Sequence, residues 1–426
     1  MLEINKIRTN KEEIINRLNI RNFNYTDLID QVLKFDEQRR EIQFILDKEL
    51  SELNQLSKSI GELFKSGEKE KANTLKLKTT KLKESTKILK EKLSFSEKKQ
   101  KEILCQIPNV PNPLVPAGNS EKDNQIIEEI GKLPKLYNGA VPHWDLAKEY
   151  QLIDFELGVK ISGAGFPVYT GVGAQLQRAM INFFLNQAIE NEYQEVIPPF
   201  LVNESSGFCT GQLPDKEGQM YFVNDDQLYL IPTAEVPITN MFKDEILESN
   251  MLPLKKVAYS PCFRREAGSY GKDVRGLNRL HQFDKVEIVQ VSKPDNSYEI
   301  LDEMVNYVKS LLVKLELPFR VVRLCAGDLG FTSAMTYDFE VYSGAQNRWL
   351  EVSSVSNFET YQTNRLKLRY KNDQGKSQLA HTLNGSALAL PRILAAILEN
   401  NQTEGHIKIP KVLVPYIGFE KIQRLE

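Results

Sequence analysis

The stretch that decides the fold is Phe263-Arg-Arg-Glu266, then Ala267-Gly-Ser-Tyr-Gly-Lys-Asp-Val-Arg-Gly-Leu-Asn278, then Arg279-Leu-His-Gln-Phe-Asp-Lys-Val-Glu287. It predicts two strands around a loop that carries Gly268, Gly271, Lys272, Arg275 and Gly276. Because side chains alternate along a strand, Arg264 and Glu266 should share one face of the first strand, and Phe283 and Glu287 one face of the second. A guanidinium, two carboxylates and an aromatic ring suit a phosphate, amines and a purine. A hairpin with surface ion pairs and one core phenylalanine is the alternative.

Further strand patterns recur on both sides of this hairpin, at 195–197, 228–231, 319–324, 336–342 and 349–353. Helical patterns cover 176–190, 297–315 and 388–399. Successive strands are often joined by short turns instead of crossover helices, which favours an antiparallel sheet with helices packed on it, an α+β domain. The sequence contains no G-x-G-x-x-G opening a helix after a strand and no G-x-x-x-x-G-K-S/T, so the common nucleotide-binding folds are not indicated.

A second polar segment, His381-Thr-Leu-Asn-Gly-Ser386, leads into an apolar helix that contains Pro391 and Arg392. An arginine on an otherwise apolar helix is costly to bury without an anion. The anion is either a ligand phosphate or an unidentified Asp or Glu of the chain. Ser386 has a simpler alternative as the N-cap of that helix.

The first 110 residues follow a different pattern. Heptad positions from Leu28 to Leu63 are spaced alternately by four and three, and nine of these eleven are apolar. Ser66-Gly67 breaks the pattern, a second helical stripe runs from Ala72 to Ile103, and a proline-rich linker follows. We predict an antiparallel helical hairpin at 1–110 that projects about 54 Å, and a second domain at 111–426. A dimerising coiled coil is the alternative for the first segment.

The distribution of charge and of cysteines limits the possible partners and the cellular compartment of the protein. The net charge is -2, yet residues 65–101 hold 13 lysines against 5 glutamates. This basic segment is either a polyanion docking site or a solvated helix face. The four cysteines and four histidines are scattered, which argues against a disulfide framework or a zinc site and favours a reducing, cytoplasmic compartment. We expect no membrane span, because no apolar run reaches about 18 residues.

Taken together, the hairpin 263–287 and the segment 381–394 resemble motifs 2 and 3 of the class II aminoacyl-tRNA synthetases. Glu195-Val-Ile-Pro-Pro-Phe-Leu-Val202 resembles motif 1, which builds the dimer interface in that class. Within the class the chain is most similar to the bacterial-type seryl family, on Thr210-Gly-Gln-Leu-Pro214, Pro232-Thr-Ala-Glu235, Glu351-Val-Ser-Ser354 and Thr382-Leu-Asn-Gly-Ser386. The N-terminal hairpin resembles that family's tRNA-binding arm. The chain departs from the pattern at Ala387 and Pro391, where glycines are commoner, and Pro391 is expected to restrict or kink the first helical turns.

The resemblance implies an enzyme that activates serine with ATP and transfers the seryl group to tRNA. Arg264 and Arg392 would flank the ATP phosphates as the catalytic residues and stabilise developing charge. Glu266 would contact the adenine edge and Phe283 would stack on the adenine, while Glu351 and Ser354 would bind Mg²⁺. Strict alternation puts Glu351 and Ser354 on opposite faces, so a bulge or strand end is required there. The remaining residues implied to bind ATP are Arg265, Leu280, Val352 and Ser353.

For serine, the resemblance points to Thr233, Ala234, Glu235, Glu287 and Ser386. A carboxylate suits the substrate ammonium, and a pocket that hydrogen-bonds the hydroxyl would reject alanine. The implied partners are serine tRNAs, selenocysteine tRNA where it exists, and a second copy of the chain. The candidates for tRNA contact are Lys76, Lys78, Lys81, Lys83, Lys87 and Lys90. Two alternatives stay open: a related enzyme that loads an amino acid onto a carrier protein, and a non-enzymatic RNA-binding protein on a synthetase scaffold.

Overall fold

The computed structural model describes residues 1–215, 218–266 and 275–424. Gly268, Gly271 and Lys272 of the predicted loop therefore lie outside the described residues. The chain forms two compact units, Met1–Asn19 with Phe23–Pro108, and Ile20–Asn22 with Asn109–Glu426. In the described part of the chain, no helix is long and apolar enough to cross a membrane.

The first unit is a helical hairpin. Two short helices, α1 (Ile4–Thr9) and α2 (Lys11–Asn19), precede the long helices α3 (Thr26–Lys65) and α4 (Lys69–Leu104). The turn between α3 and α4 is made by Gly67, whose φ of +79° is a left-handed conformation that glycine adopts at little cost. The Glu68 N–H donates to the Leu63 carbonyl at 2.9 Å and closes the end of α3. The predicted antiparallel hairpin with its turn near Gly67 is confirmed.

The seam between α3 and α4 follows the predicted stripes. Every predicted heptad position of α3 is buried or half-buried, and so are the stripe positions of α4. Buried Thr79 and Thr86 satisfy their hydroxyls by donating to carbonyls three residues back, at 2.8 and 3.0 Å. At the base, the Asp36 carboxylate is buried and accepts from Gln100 at 3.4 Å. The coiled-coil pattern thus pairs two segments of one chain.

The second unit is α+β. Its helices are α5 (His143–Glu149), α6 (Phe155–Ile161), α7 (Gly171–Glu190), α8 (Glu204–Thr210), α9 (Glu235–Asn240), α10 (Ser297–Lys314), α11 (Thr360–Leu366), α12 (Leu390–Asn400) and α13 (Val414–Ile417). Its strands are β1 (Gln125–Ile130), β2 (Ile153–Asp154), β3 (Val168–Tyr169), β4 (Gln194–Glu195), β5 (Leu201–Asn203), β6 (Phe222–Val223), β7 (Leu228–Leu230), β8 (Ile246–Glu248), β9 (Leu254–Phe263), β10 (Gln282–Ser292), β11 (Phe319–Arg323), β12 (Met335–Ser343), β13 (Arg348–Glu359), β14 (Arg369–Lys371), β15 (Ser377–Leu379), β16 (His381–Ala389), β17 (His406–Lys408) and β18 (Lys421–Gln423).

The main sheet has the order β1-β11-β12-β13-β16-β10-β9-β4. Neighbouring strands are antiparallel except for β4 and β9, which are parallel. One face carries apolar side chains such as Val286, Ile288 and Leu383, which join a core with residues of α7, α10 and α12. The other face of β10 and β16 carries Phe283, Glu287 and Ser386. The antiparallel α+β prediction is confirmed, and the polar face is where the predicted site residues lie.

Three local predictions are wrong. Strand β9 ends at Phe263, and Glu266 has a φ of +48°, so Arg264 and Glu266 do not alternate along a strand. The apolar helix begins at Leu390, which leaves Ser386 inside β16 and excludes it as the N-cap. Pro391 lies in the first turn of α12, where its missing N–H removes no hydrogen bond of the helix. The strand predicted at 195–197 is Gln194–Glu195.

Candidate active site

Arg264 lies just beyond the end of β9. Its backbone N–H donates to the His281 carbonyl at 2.9 Å, and its Nε donates to the Pro232 carbonyl at 3.3 Å. The guanidinium carbon is 5.2 Å from the centroid of the Phe283 ring. The predicted phosphate ligand and the predicted adenine platform are therefore neighbours, although the strand argument for Arg264 was wrong.

Arg392 lies in the first turn of α12 and is not buried, because its side chain is 32% exposed. Its Nε donates to the Asn278 carbonyl at 3.0 Å, and one terminal nitrogen donates to the Glu351 carbonyl at 2.7 Å. The same nitrogen is 3.6 Å from the Glu351 carboxylate, which is 50% exposed. A salt bridge whose two side chains are this exposed to solvent contributes little to stability. Arg392 can thus offer its charge to an anion in solution.

A β-bulge in β13 brings Glu351 and Ser354 to one face. Glu351 pairs with Glu340 and Ser353 pairs with Phe339, which leaves Val352 as the extra residue. The predicted irregularity at this point is confirmed. Since Ser354 pairs with Asp338, two residues before Glu340 on β12, Asp338 joins the same face.

Asp338 is the unpredicted member of this group. Burial, followed by the charge of Glu351, raises its pKa well above the usual value, and the Ser354 hydroxyl acts in the opposite direction. Among the described residues, its Oδ1 atom is buried without a hydrogen-bond partner. The two adjacent carboxylates, one of which has an unsatisfied oxygen, and the hydroxyl form a hard-oxygen donor set of the kind that Mg²⁺ prefers. No group of three or more His, Cys, Asp or Glu side chains with metal-binding geometry occurs among the described residues.

Four of the five residues predicted for serine are polar and buried, and hydrogen bonds connect them to neighbouring polar side chains. Thr233, Glu235, Glu287 and Ser386 are all buried. The Ser386 hydroxyl donates to Glu287 Oε2 at 3.3 Å, and the Lys285 ammonium is 2.7 Å from the same oxygen. The Thr233 hydroxyl accepts the Glu235 N–H at 3.2 Å, so it also fulfils the turn role that its position suggests.

Within the described part of the chain, no cationic side chain forms a salt bridge with Glu235. Gln362 donates to its Oε1 at 2.7 Å, and the Thr382 hydroxyl donates to Gln362 Oε1 at 2.7 Å. Burial and the neighbouring charge of Glu287 raise the pKa of Glu235 to about 7. A buried carboxylate next to a second carboxylate is stabilised by an added cation, such as an ammonium group.

The other predicted binding residues differ in what their side chains can reach. Ala234 packs in an apolar cluster, and Leu280 and Val352 belong to the main core, so only their backbone groups can meet a ligand. Ser353 is buried and donates to the Ser386 carbonyl at 2.5 Å. Arg265 is exposed. Glu266 forms a salt bridge with Arg279.

Several residues of the site were missed from the sequence, namely Lys285, Asp338, Gln362, Thr382 and Asn384. Lys285 had a local signal, because it shares a strand face with Phe283 and Glu287 at period two. Gln362 had no such signal, because it lies on α11 and reaches Glu235 only through the tertiary fold.

Two family models match the chain. The model described as "Seryl-tRNA synthetase N-terminal domain" matches residues 1–111, and the one described as "tRNA synthetase class II core domain (G, H, P, S and T)" matches residues 221–401. A serine–tRNA ligase of Salinibacter ruber is 48% identical over 424 residues, which is 99% of this chain and 99% of that protein.

Solved structures agree over the whole length. The seryl-tRNA synthetase of Pyrococcus horikoshii complexed with ATP is 35% identical, with a TM-score of 0.92 and full coverage of both chains. The cytoplasmic serine–tRNA ligase of Naegleria fowleri in complex with AMP is 27% identical, with a TM-score of 0.87, and covers 100% of this chain and 99% of that one.

Proposed function

The chain belongs to the seryl-tRNA synthetase family, and on this premise we propose that it activates serine with ATP to seryl-adenylate and transfers the seryl group to tRNA. The main support for the proposal is a buried, carboxylate-rich cluster next to the sheet face that carries Phe283, with Arg264 packed against that ring. Phe283, Glu287 and Ser386 share one face of the paired strands β10 and β16, and Arg264 lies beside Phe283. A small ammonium substrate and a nucleotide triphosphate have matching chemistry.

For activation, we propose that serine attacks the α-phosphate of ATP through its carboxylate. This group is ionised at neutral pH, so no general base is required. The new carboxyl–phosphorus bond forms as the bond to the β-phosphate breaks, and pyrophosphate leaves. Arg264 and Arg392 stabilise the negative charge on the phosphates, while Phe283 orients the adenine. The contacts of Arg264 with Phe283 and of Arg392 with Glu351 support this division of roles.

For serine selection, we propose different roles for the two buried carboxylates. Glu287 already has Lys285 as a cationic partner, so its remaining acceptor capacity suits the neutral hydroxyl. Among the described residues, the side-chain donors to Glu235 are the neutral amides of Gln362 and Asn384, so Glu235 suits the substrate ammonium. Alanine would leave Glu287 and Ser386 without the hydroxyl in a buried pocket, which is strongly unfavourable.

We propose that Glu351 and Ser354, with Asp338, hold Mg²⁺ at the triphosphate. The ion supplies charge neutralisation on the phosphate oxygens when it is bound. The buried and unsatisfied Asp338 Oδ1 supports its inclusion in the site. Asp338→Asn should raise the Mg²⁺ concentration needed for half-maximal adenylation, with Asp373→Asn on the surface as a control. An unchanged Mg²⁺ requirement would remove Asp338 from the site.

We propose that the hairpin of α3 and α4 binds tRNA. The six candidate lysines are all exposed on α4. Lys78 forms a salt bridge with Glu52 at 2.8 Å and the Lys76 ammonium lies 4.7 Å from the Phe64 ring centroid, so Lys81, Lys83, Lys87 and Lys90 are the stronger candidates. Phosphate contacts of this kind position RNA without reading its sequence. Changing these four to Gln should raise the KM for tRNA and leave tRNA-independent adenylation unchanged.

We also propose a homodimer built around the segment that resembles motif 1. Several large apolar side chains are exposed there, with Ile197 86% exposed and Ile189 and Leu201 above 40%. Exposed apolar side chains grouped in this way are typical of protein interfaces. Light scattering of the wild type and of Ile197→Asp tests this, and a monomeric wild type would contradict it. The free cysteines support a cytoplasmic location.

The experiment that tests the proposed function is ATP–pyrophosphate exchange with each of the twenty amino acids, followed by charging of purified tRNA. We expect exchange with serine and charging of serine tRNA. Exchange that fails with serine would refute the proposal. Exchange with serine but transfer only to a carrier protein would favour the carrier-loading alternative.

A further inference from the structure

A buried imidazole–carboxylate pair lies behind the site, between two helices of the second unit. His143 is the first residue of α5, and Glu399 is in the last turn of α12. Both side chains are 0% exposed, and His143 Nδ1 is 2.7 Å from Glu399 Oε1. Neither residue belongs to the motifs that point to ATP or serine binding, and neither has a role in the mechanism above.

The Glu399 carboxylate is a fixed anchor. Its Oε1 atom also accepts the backbone N–H of His143 at 3.0 Å and Nε2 of Gln346 at 2.9 Å, and its Oε2 atom accepts the Ser343 hydroxyl. Burial acts to raise the pKa of Glu399, but the bonds from His143 and Ser343 hold it below its usual value. A buried carboxylate with this many donors stays ionised and has little freedom to move.

On the opposite edge of the imidazole, Nε2 accepts a hydrogen bond from the protein backbone. The Leu277 N–H donates to His143 Nε2 at 2.8 Å. Because Nε2 accepts a hydrogen bond, the ring is neutral and carries its proton on Nδ1, toward Glu399; this tautomer follows from the partners. Gly276 permits the close approach, since its φ is +64° and a Cβ there would lie 2.3 Å from Nε2.

Asn278, the residue after Leu277, connects these contacts to Arg392. The Asn278 carbonyl accepts Nε of Arg392 at 3.0 Å, and Asn278 Nδ2 donates to Gln346 Oε1 at 3.0 Å. Gln346 in turn donates to Glu399. Arg392 and Glu399 lie seven residues apart on α12, so the contacts form a closed ring from Glu399 through His143 and the 277–278 backbone to Arg392. Hydrogen bonds thus connect the buried His143 to the partly exposed Arg392 side chain.

We propose that His143, anchored by Glu399, is a positioning residue for adenylation: it fixes the backbone at Leu277 and Asn278, and through the Asn278 carbonyl it aims Arg392 at the nucleotide. This inference rests on the proposed function, and it adds to it a residue that never touches a substrate. Histidine suits the position because one rigid ring donates on one edge and accepts on the other.

Two substitutions of His143 distinguish the effects of its two hydrogen bonds, the one to Glu399 and the one from Leu277. His143→Asn keeps a donor for Glu399 but loses the acceptor for Leu277, whereas His143→Gln places a carbonyl oxygen where Nε2 was. Misplacing a catalytic group by about 1 Å costs up to about 10²-fold in rate, so we expect His143→Asn to lower the adenylation rate about 30-fold. His143→Gln should lose less than about fivefold, and the KM for serine should stay within about twofold in both variants. Rates are expressed per active site, counted from the burst of adenylate formation, so that misfolded protein does not enter.

A double-mutant cycle with Arg392→Ala tests the proposed route. If His143 acts through Arg392, His143→Asn should cost less than about threefold once Arg392 is absent, because coupled residues are not additive. An undiminished loss in the Arg392→Ala background, or equal losses in the two His143 variants, would overturn the proposal. Wild-type protein that shows no serine-dependent exchange would instead refute the proposed function, so the two failures are distinguishable.

Discussion

The proposed serine pocket and the proposed nucleotide side differ in how far their charged groups are buried and paired. In the pocket, Glu287 is buried and paired with Lys285, and Glu235 is buried against Gln362. On the nucleotide side, Arg392 and Glu351 are substantially exposed, and Arg264 is held by a backbone carbonyl and the Phe283 ring. In the proposed assignment, a small polar substrate is selected by buried groups that already have partners, whereas the triphosphate binds to charges that remain accessible to solvent.

The largest expected effect is on the nucleotide side. Arg264→Ala removes a fixed positive charge from the reacting phosphate and should lower the adenylation kcat about 10³-fold, with little change in the KM for serine. Arg369→Ala, an exposed arginine on β14, is the matched surface control. Pre-steady-state adenylate formation measures the rate. A loss confined to the KM for serine would show that Arg264 belongs to the other region.

The next effect belongs to the pocket. Glu235→Gln keeps the shape and removes the charge that we assign to the substrate ammonium, so the KM for serine should rise about 10²-fold, as for a charged hydrogen bond worth about 2–3 kcal/mol. The KM for ATP should not change. A parallel rise in both KM values would contradict the separation of the two regions.

A smaller effect is expected in the pH dependence of the KM for serine. The pKa of Glu235 is raised to about 7 by burial and by Glu287. Its carboxylate is therefore ionised above that pH and protonated below it, so the ammonium partner is lost as pH falls. The KM for serine should rise about tenfold per pH unit below 7, while the KM for ATP stays flat over the same range. In Glu235→Gln this dependence should disappear, and a slope that persists there would assign it to another group.

The smallest effect concerns selectivity. Ser386→Ala removes a hydroxyl that donates to Glu287 and should reduce the preference for serine over alanine about tenfold, within the range of one hydrogen bond. Exchange with each amino acid at subsaturating concentration measures the ratio. An unchanged ratio would mean that Glu287 alone reads the serine hydroxyl.

The sequence predicted those features that depend on local periodicity. Phe283 and Glu287 share a face because β10 is regular against β9, and the bulge at Val352 follows from requiring Glu351 and Ser354 together. The same reasoning was wrong for Glu266, because the strand had already ended and the backbone turns at positive φ there. Strand ends depend on tertiary contacts that a local pattern does not encode.

The missed residues share a different cause. Asp338 reaches Glu351 only through the cross-strand register of β12 and β13, and Gln362 reaches Glu235 from α11. His143 lies more than 130 residues before Leu277 and 250 before Glu399, so its contacts arise only in the folded chain. Each of these residues has an unremarkable sequence context and acquires its role from its partners.

The most direct measurement is a crystal structure of the protein with Mg²⁺, serine and a non-hydrolysable ATP analogue. We expect the guanidinium groups of Arg264 and Arg392 both to lie about 3 Å from phosphate oxygens of the same nucleotide, with its adenine on Phe283 and the serine ammonium at Glu235. Guanidinium groups directed into separate cavities, with no ligand in common, would contradict it.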